Sequence, residues 1–215
     1  MVSARPPAEV FPLAGGLAET TWLTLLQSGG VGLCCGVVAI LFCYAMHASG
    51  RYMRKAIPND FLRIALGGGA VALLAAALGT ADYQGSGMPV ILNALKGQAA
   101  PEAFLLKILF TAMTLSVGFK GGEIVPSFFV GATLGCVVAP LLGLDPALGA
   151  GLGIIALFCG VTNGVLASMV LSVELFGAEY LPLFGIAVAV SYALSGQVSL
   201  YHTQKFIEPK MGHRD

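Results

Sequence analysis

Seven apolar runs divide the chain: Thr21 to Met46, Phe61 to Ala81, Ala103 to Val117, Ile124 to Leu144, Ala147 to Val161, Val165 to Phe176 and Tyr180 to Leu194. Several fall short of the roughly 20 residues that a straight membrane helix needs. Glycine and proline sit inside these runs as well as between them. The pattern predicts an all-α, polytopic membrane protein with broken and re-entrant helices. Irregular backbone at membrane depth survives only where it is buried in protein or lines a wet cavity. A set of simple spans with ill-defined ends is the alternative that the same pattern leaves open.

Composition agrees with the pattern. Of 215 residues, 57% are hydrophobic and 10% charged, against roughly 25% charged in a soluble domain. The net charge is zero, which argues against a nucleic-acid partner. Cys34, Cys35, Cys43, Cys136 and Cys159 lie within apolar runs and show no Cys-x-x-Cys spacing. They read as free, buried thiols rather than metal ligands or disulfides. His47, His202 and His213 are scattered, and no nucleophile and base stand at a workable spacing. No enzyme, cofactor or metal site is expected. Residues 1–20 contain Pro6, Pro7, Glu9 and Pro12 and lack the basic start and apolar stretch of a secretory signal, so they read as an exposed lead. Residues 21–206 form the membrane domain in this reading, and 207–215 a cytoplasmic tail.

Arg51, Arg54, Lys55 and Arg63 face only Asp60 between the first two runs, and Lys205, Lys210 and Arg214 follow the last one. Both segments read as cytoplasmic by the positive-inside rule, with an even number of crossings between them. The expected compartment is a bacterial inner membrane.

The stretch "GFKGGEIVPSFFVGATLG", Gly118 to Gly135, puts Lys120 and Glu123 among glycines ahead of an apolar run. Gly121 and Gly122 allow a tight approach, and Pro126 suits the first turn of a helix. The N–H groups of Glu123, Ile124 and Val125 then point out of a helix N-terminus, at the positive end of its dipole. Such an end binds anions, and a discontinuous helix aimed at the bilayer midplane is a transporter device. An ordinary turn, with Glu123 serving the helix start, is the bland alternative. Glu174, late in an apolar run, reads either as functional or as a structural or subunit-contact residue.

"GFKGGEIVP" followed by "SFFVGATLG" resembles the glycine-rich, proline-ended anion-filter segment in the second half of CLC chloride channels and proton-coupled anion antiporters. Its glutamate is closer to the fluoride-exporting branch. "TNGVLASMVLSVELFG", Thr162 to Gly177, looks like a late membrane helix of that family, and "SGQVSLYHTQK", Ser195 to Lys205, like its final helix. The resemblance implies that the amides of Glu123 and Ile124, with Gly122 and Val125 beside them, face a chloride or fluoride ion, and that Tyr201 donates its hydroxyl. Amides and a phenol replace hydration without a full positive charge, so the ion can leave again. On its own residues, Tyr201 reads first as an interfacial belt tyrosine beside His202 and Lys205, and it is the resemblance that favours the site. Glu123 is the candidate for proton coupling, since a carboxylate sharing a site with an anion is repelled by it.

Two departures limit the resemblance. No Gly-Arg-Glu-Gly gate sequence occurs, so the chain looks like the C-terminal half of an inverted-repeat transporter, with the N-terminal half missing. "GSGMP", Gly85 to Pro89, is similar to a first-half filter segment and reads here as the pseudo-equivalent turn, with Ser86 starting a helix or, less in keeping with that turn, contacting the ion. Gly164-Val165 stands where many relatives carry proline. The implied function is movement of chloride or fluoride, with or without coupled protons, across a lipid bilayer, as a homodimer. The other class of reading is a fragment or accessory membrane subunit without a complete ion path.

Overall fold

A computed structural model describes residues 21–80, 82–119, 121–196 and 199–200. Eight α-helices and no strands are found among them: α1 Trp22–Ala56, α2 Asp60–Leu78, α3 Met88–Ala94, α4 Ala103–Ser116, α5 Ile124–Leu141, α6 Pro146–Thr162, α7 Val165–Phe176 and α8 Leu181–Ser195. A single 3-10 turn, Ala178–Tyr180, leads into α8. Among the described residues, α1, α2, α5 and the continuous Ala178–Ser195 segment are long and apolar enough to cross a membrane, whereas α4, α6 and α7 are shorter. Broken helices therefore prevail over simple spans.

Local chemistry sets most of the breaks. The Asn59 side chain accepts from the amides of Phe61 and Leu62 at the start of α2. Asp145 does the same for Ala147 and Leu148 at the start of α6, where Pro146 occupies the first helical position. Each cap satisfies donors that the first turn cannot. At the far end of α6, Asn163 takes a left-handed conformation with φ 57° and its amide donates to the Cys159 carbonyl. Asparagine tolerates that conformation where most residues do not, and the chain turns into α7 at Gly164. The first apolar run, by contrast, does not end at Met46: α1 continues to Ala56 through Arg51, Arg54 and Lys55. These residues are good helix formers, and cations suit the negative end of a helix dipole.

The core is built on α6, which is buried along nearly its whole length. A helix that is apolar all round has no water-facing side and belongs in an interior. It runs antiparallel to α5, with Gly131 beside Gly153 and Gly135 beside Gly149, so that a Cβ at any of the four would fall on neighbouring atoms of the pair. Small residues let helix backbones approach in this way. On its other sides, α6 meets α1 and α8. The Ser191 hydroxyl on α8 donates to the Ala156 carbonyl at 2.7 Å, and Gly32 and Gly36 on α1 lie against the α8 backbone. All five cysteines are free, four of them buried and Cys34 half-buried. α2 stands apart: only 17% of its apolar window is buried, and it joins the rest through α4.

Candidate functional site

The loop between α4 and α5 is held from one side by Arg63. Its Nε donates to the Val117 carbonyl at 3.3 Å, its Nη1 to Ile57 O at 3.3 Å, and its Nη2 pairs with Asp60 at 2.8 Å. A Cβ at Gly67 would collide with Val117, so α2 packs directly on the end of α4. The chain then turns at Gly118, whose φ of 106° only glycine adopts readily. Lys120 lies outside the described residues.

α5 begins at Ile124, with Glu123 as its N-cap residue. The Ser127 amide donates to Glu123 O at 3.2 Å, the first bond of the helix. The amides of Ile124 and Val125 precede that bond and point out of the helix end, and Pro126 contributes no donor. Glu123 makes no side-chain capping bond to this first turn. The helix that it starts packs against α1 as well as α6.

The antiparallel register brings the end of α6 level with the start of α5, as the edge-on pair Phe128 and Phe158, 5.4 Å apart, also marks. Leu200 is tied to that end: its amide donates to Val161 O at 2.9 Å, and its carbonyl lies 3.4 Å from His47 Nε2 on α1. His47 stands one helical turn beyond Cys43. The chain entering Tyr201 therefore reaches the same corner of the molecule as Glu123, between α1, α5 and α6. Tyr201 itself lies outside the described residues.

On the opposite side, the first turn of α5 borders a cavity of about 570 Å³. Gly121, Gly122, Val125 and Pro126 form one wall, Gly68, Val71 and Ala72 of α2 another, and Tyr83 to Ser86 with Lys107 a third. Ser86, Gly122 and Val125 are thus brought together, while Glu123 and Ile124 are not among the residues lining this space. Burial pushes the Tyr83 hydroxyl pKa up, and the Glu102 and Asp82 carboxylates add to the effect, so Tyr83 lines the cavity as a neutral phenol.

Two expectations are corrected. Ser86 does not start a helix: Gly87, with φ 67°, is the N-cap of α3, and no side chain caps it. Ser86 precedes the cap and is exposed to the cavity. Gly122 is not held in a tight approach. It is absent from the left-handed glycines of the described chain, and a Cβ there would meet nothing within 4 Å. Its small size keeps the cavity open rather than relieving the backbone. Gly164 takes the N-cap place of α7, where its carbonyl accepts from the Ser168 amide and hydroxyl at 2.9 and 2.8 Å. Glu174 is exposed on α7, in a shallow groove with Phe158, Leu166 and Val170.

One residue escaped the reading of motifs. Lys107, in the middle of α4, is 1% exposed and donates from Nζ to Tyr83 O at 3.1 Å and Gly85 O at 2.7 Å. The signal was a lone charge in the run Ala103 to Val117, a placement that is costly and usually functional.

Comparison with known proteins bears on the family and the fold. A chloride/fluoride channel protein of Pseudomonas syringae pv. tomato is 40% identical over 180 residues, covering 81% of this chain and 40% of its own length. An uncharacterized protein of Methanocaldococcus jannaschii is 30% identical over 100 residues, 46% of this chain and 25% of its own. The crystal structure of a CLC-type fluoride/proton antiporter superposes with a TM-score of 0.86 at 34% identity, over 91% of this chain and 50% of the antiporter. The chain thus spans half or less of each of these proteins, and its all-helical architecture is that of a CLC-type fold fragment. The sequence profile described as voltage gated chloride channel matches residues 9–196, and the chain belongs to that family as a multi-pass membrane protein.

Proposed function

We propose that this chain is the C-terminal half of a chloride or fluoride channel or proton-coupled antiporter, and that the anion passes the N-terminus of α5. One convergence carries the reading. The α5–α6 register, which sets Val161 level with the start of α5, and the bond of Leu200 to Val161 bring the α5 terminus and the approach to Tyr201 into one corner. In this proposal the amides of Glu123, Ile124 and Val125, with Gly122 leaving room beside them, and the Tyr201 hydroxyl coordinate the ion, and Ser86 contacts it from the cavity side. Glu123 exchanges the proton when transport is coupled. The protein is a transporter and catalyses no covalent chemistry. It works as a homodimer, with an N-terminal half supplying the remaining coordination and the gate.

The physical need for that second half is desolvation. An anion that leaves water for two or three amides and one hydroxyl recovers too little of its hydration energy. Reconstituted alone, the 215-residue chain should insert in liposomes and give no selective chloride or fluoride efflux on ion-selective electrodes. Joined to a complementary N-terminal half, it should transport. Selective efflux from the chain alone would overturn the half-transporter reading. Silence from the joined and membrane-inserted pair would favour the accessory-subunit reading instead.

A further inference from the structure

The cavity beside α5 contains a fully buried cation with no carboxylate against it. Among the described residues the one salt bridge is Arg63 with Asp60. Lys107 instead sends its ammonium to the carbonyl oxygens of Tyr83 and Gly85, at 3.1 and 2.7 Å, with the ring centroid of Phe129 4.9 Å away. Two carbonyl dipoles and an aromatic face are the groups that hold an ammonium ion. The turn they belong to is seated on the same aromatics. The Tyr83 ring stands 6.0 Å from that of Phe110 and 6.2 Å from that of Phe129, and a Cβ at Gly87 would strike Phe129.

We infer that Lys107 is a positioning and specificity-determining residue: its ammonium fills a cage made by the Tyr83–Gly87 turn and Phe129, which fixes that wall and makes the cavity favour anions. This rests on the anion-path reading of the neighbouring helix terminus. The sign follows from the groups involved. With Lys107 present, both carbonyl oxygens are occupied and the net charge they surround is positive. Without it, two acceptors converge on one point, an arrangement that attracts cations. In surroundings of low dielectric, a charge without a counter-ion acts over a longer range than it does in water.

The test reads charge preference without needing transport. The full chain carrying Ser86→Cys is placed in lipid nanodiscs and labelled with anionic sulfonatoethyl or cationic trimethylammonioethyl methanethiosulfonate. The chain without the new cysteine corrects for Cys34. The ratio of anionic to cationic rate, relative to that of a small free thiol, should be raised on the order of tenfold. Lys107→Arg should keep the preference, and Lys107→Met should abolish or reverse it. Lys107→Ala should regain it in propylammonium, which replaces the missing stem and charge, and not in propanol. A Lys107→Met ratio equal to that of the parent would overturn the inference, as would an equal loss in the Arg and Met variants, which would leave packing alone. If Lys107→Met does not fold, the melting temperature of Lys107→Ala decides. A rise with propylammonium and none with propanol supports the cage, and equal responses overturn it. A chain that labels as expected yet fails to transport when joined to its missing half would retire the anion-path reading and leave the cage standing.

Discussion

Gly135 and Gly149 face one another across α5 and α6 so closely that a Cβ on either would fall on atoms of the facing helix. Gly149→Ala should force the pair apart and destabilise the fold by about 1–3 kcal/mol, the usual cost of overpacking. Thermal unfolding in detergent measures it. Gly122→Ala, where a Cβ meets nothing within 4 Å, is the matched comparison. Equal melting temperatures for the two variants would mean that the α5–α6 contact has slack.

Arg63 governs the start of the loop between α4 and α5. Arg63→Met keeps the stem and removes the donors to Val117 and Ile57, so amide hydrogen exchange across Val117 to Gly122 should accelerate, with a stability loss of about 1–3 kcal/mol. Asp60 is 75% exposed, and Asp60→Asn should change stability by less than about 1 kcal/mol. Unaltered exchange in Arg63→Met would show that the loop is fixed by its own glycines.

Gly122→Val should reduce anion flux in the joined transporter while the melting temperature stays put. The side chain enters the cavity instead of straining the backbone. Loss of folded protein, rather than loss of flux, would contradict this.

Glu123→Gln preserves the shape of the side chain and removes its ionisation. If Glu123 carries the coupled proton, anion binding followed by calorimetry from pH 5 to 8 should lose its pH dependence in the variant and keep its affinity. Parallel curves for the two proteins would return Glu123 to a structural role.

If the Tyr201 hydroxyl donates to the anion, as proposed, Tyr201→Phe removes one donor to a charged acceptor, worth roughly 1.5–3 kcal/mol, or about ten- to a hundredfold in anion affinity. The fold should survive. Unchanged affinity and selectivity in liposome efflux would leave Tyr201 as a belt residue.

Much of this architecture could be read along the chain because its breaks are chemical. The glycines before Glu123 and the proline at the third helical position mark the start of α5 without reference to anything distant, and Asn163-Gly164 marks the gap before α7. Features that depend on convergence were not legible. Lys107 acquires its meaning from two carbonyls more than twenty residues upstream, and no local pattern announces them. Ser86 has the chemistry of a helix cap, yet the left-handed Gly87 takes that position because the turn has to clear Phe129. Gly122 looks constrained beside Gly121, and only the empty space around it shows otherwise. The end of α1 was misjudged because hydropathy stops at Met46, whereas helix propensity and dipole compensation carry the helix on to Ala56.

α6 also bears on how the molecule comes together. At 1.5 Å per residue its 17 residues make a rod of about 25 Å, shorter than the roughly 30 Å hydrocarbon layer, and buried along nearly its whole length. α5 is its first companion, joined through only four residues, Leu142 to Asp145. The flank beneath Ala156 stays open until α8, the last described helix, brings Ser191 across it. A helix with almost no outward-facing side thus depends on a segment that lies later in the chain: α6 cannot be fully covered before α8 is in place.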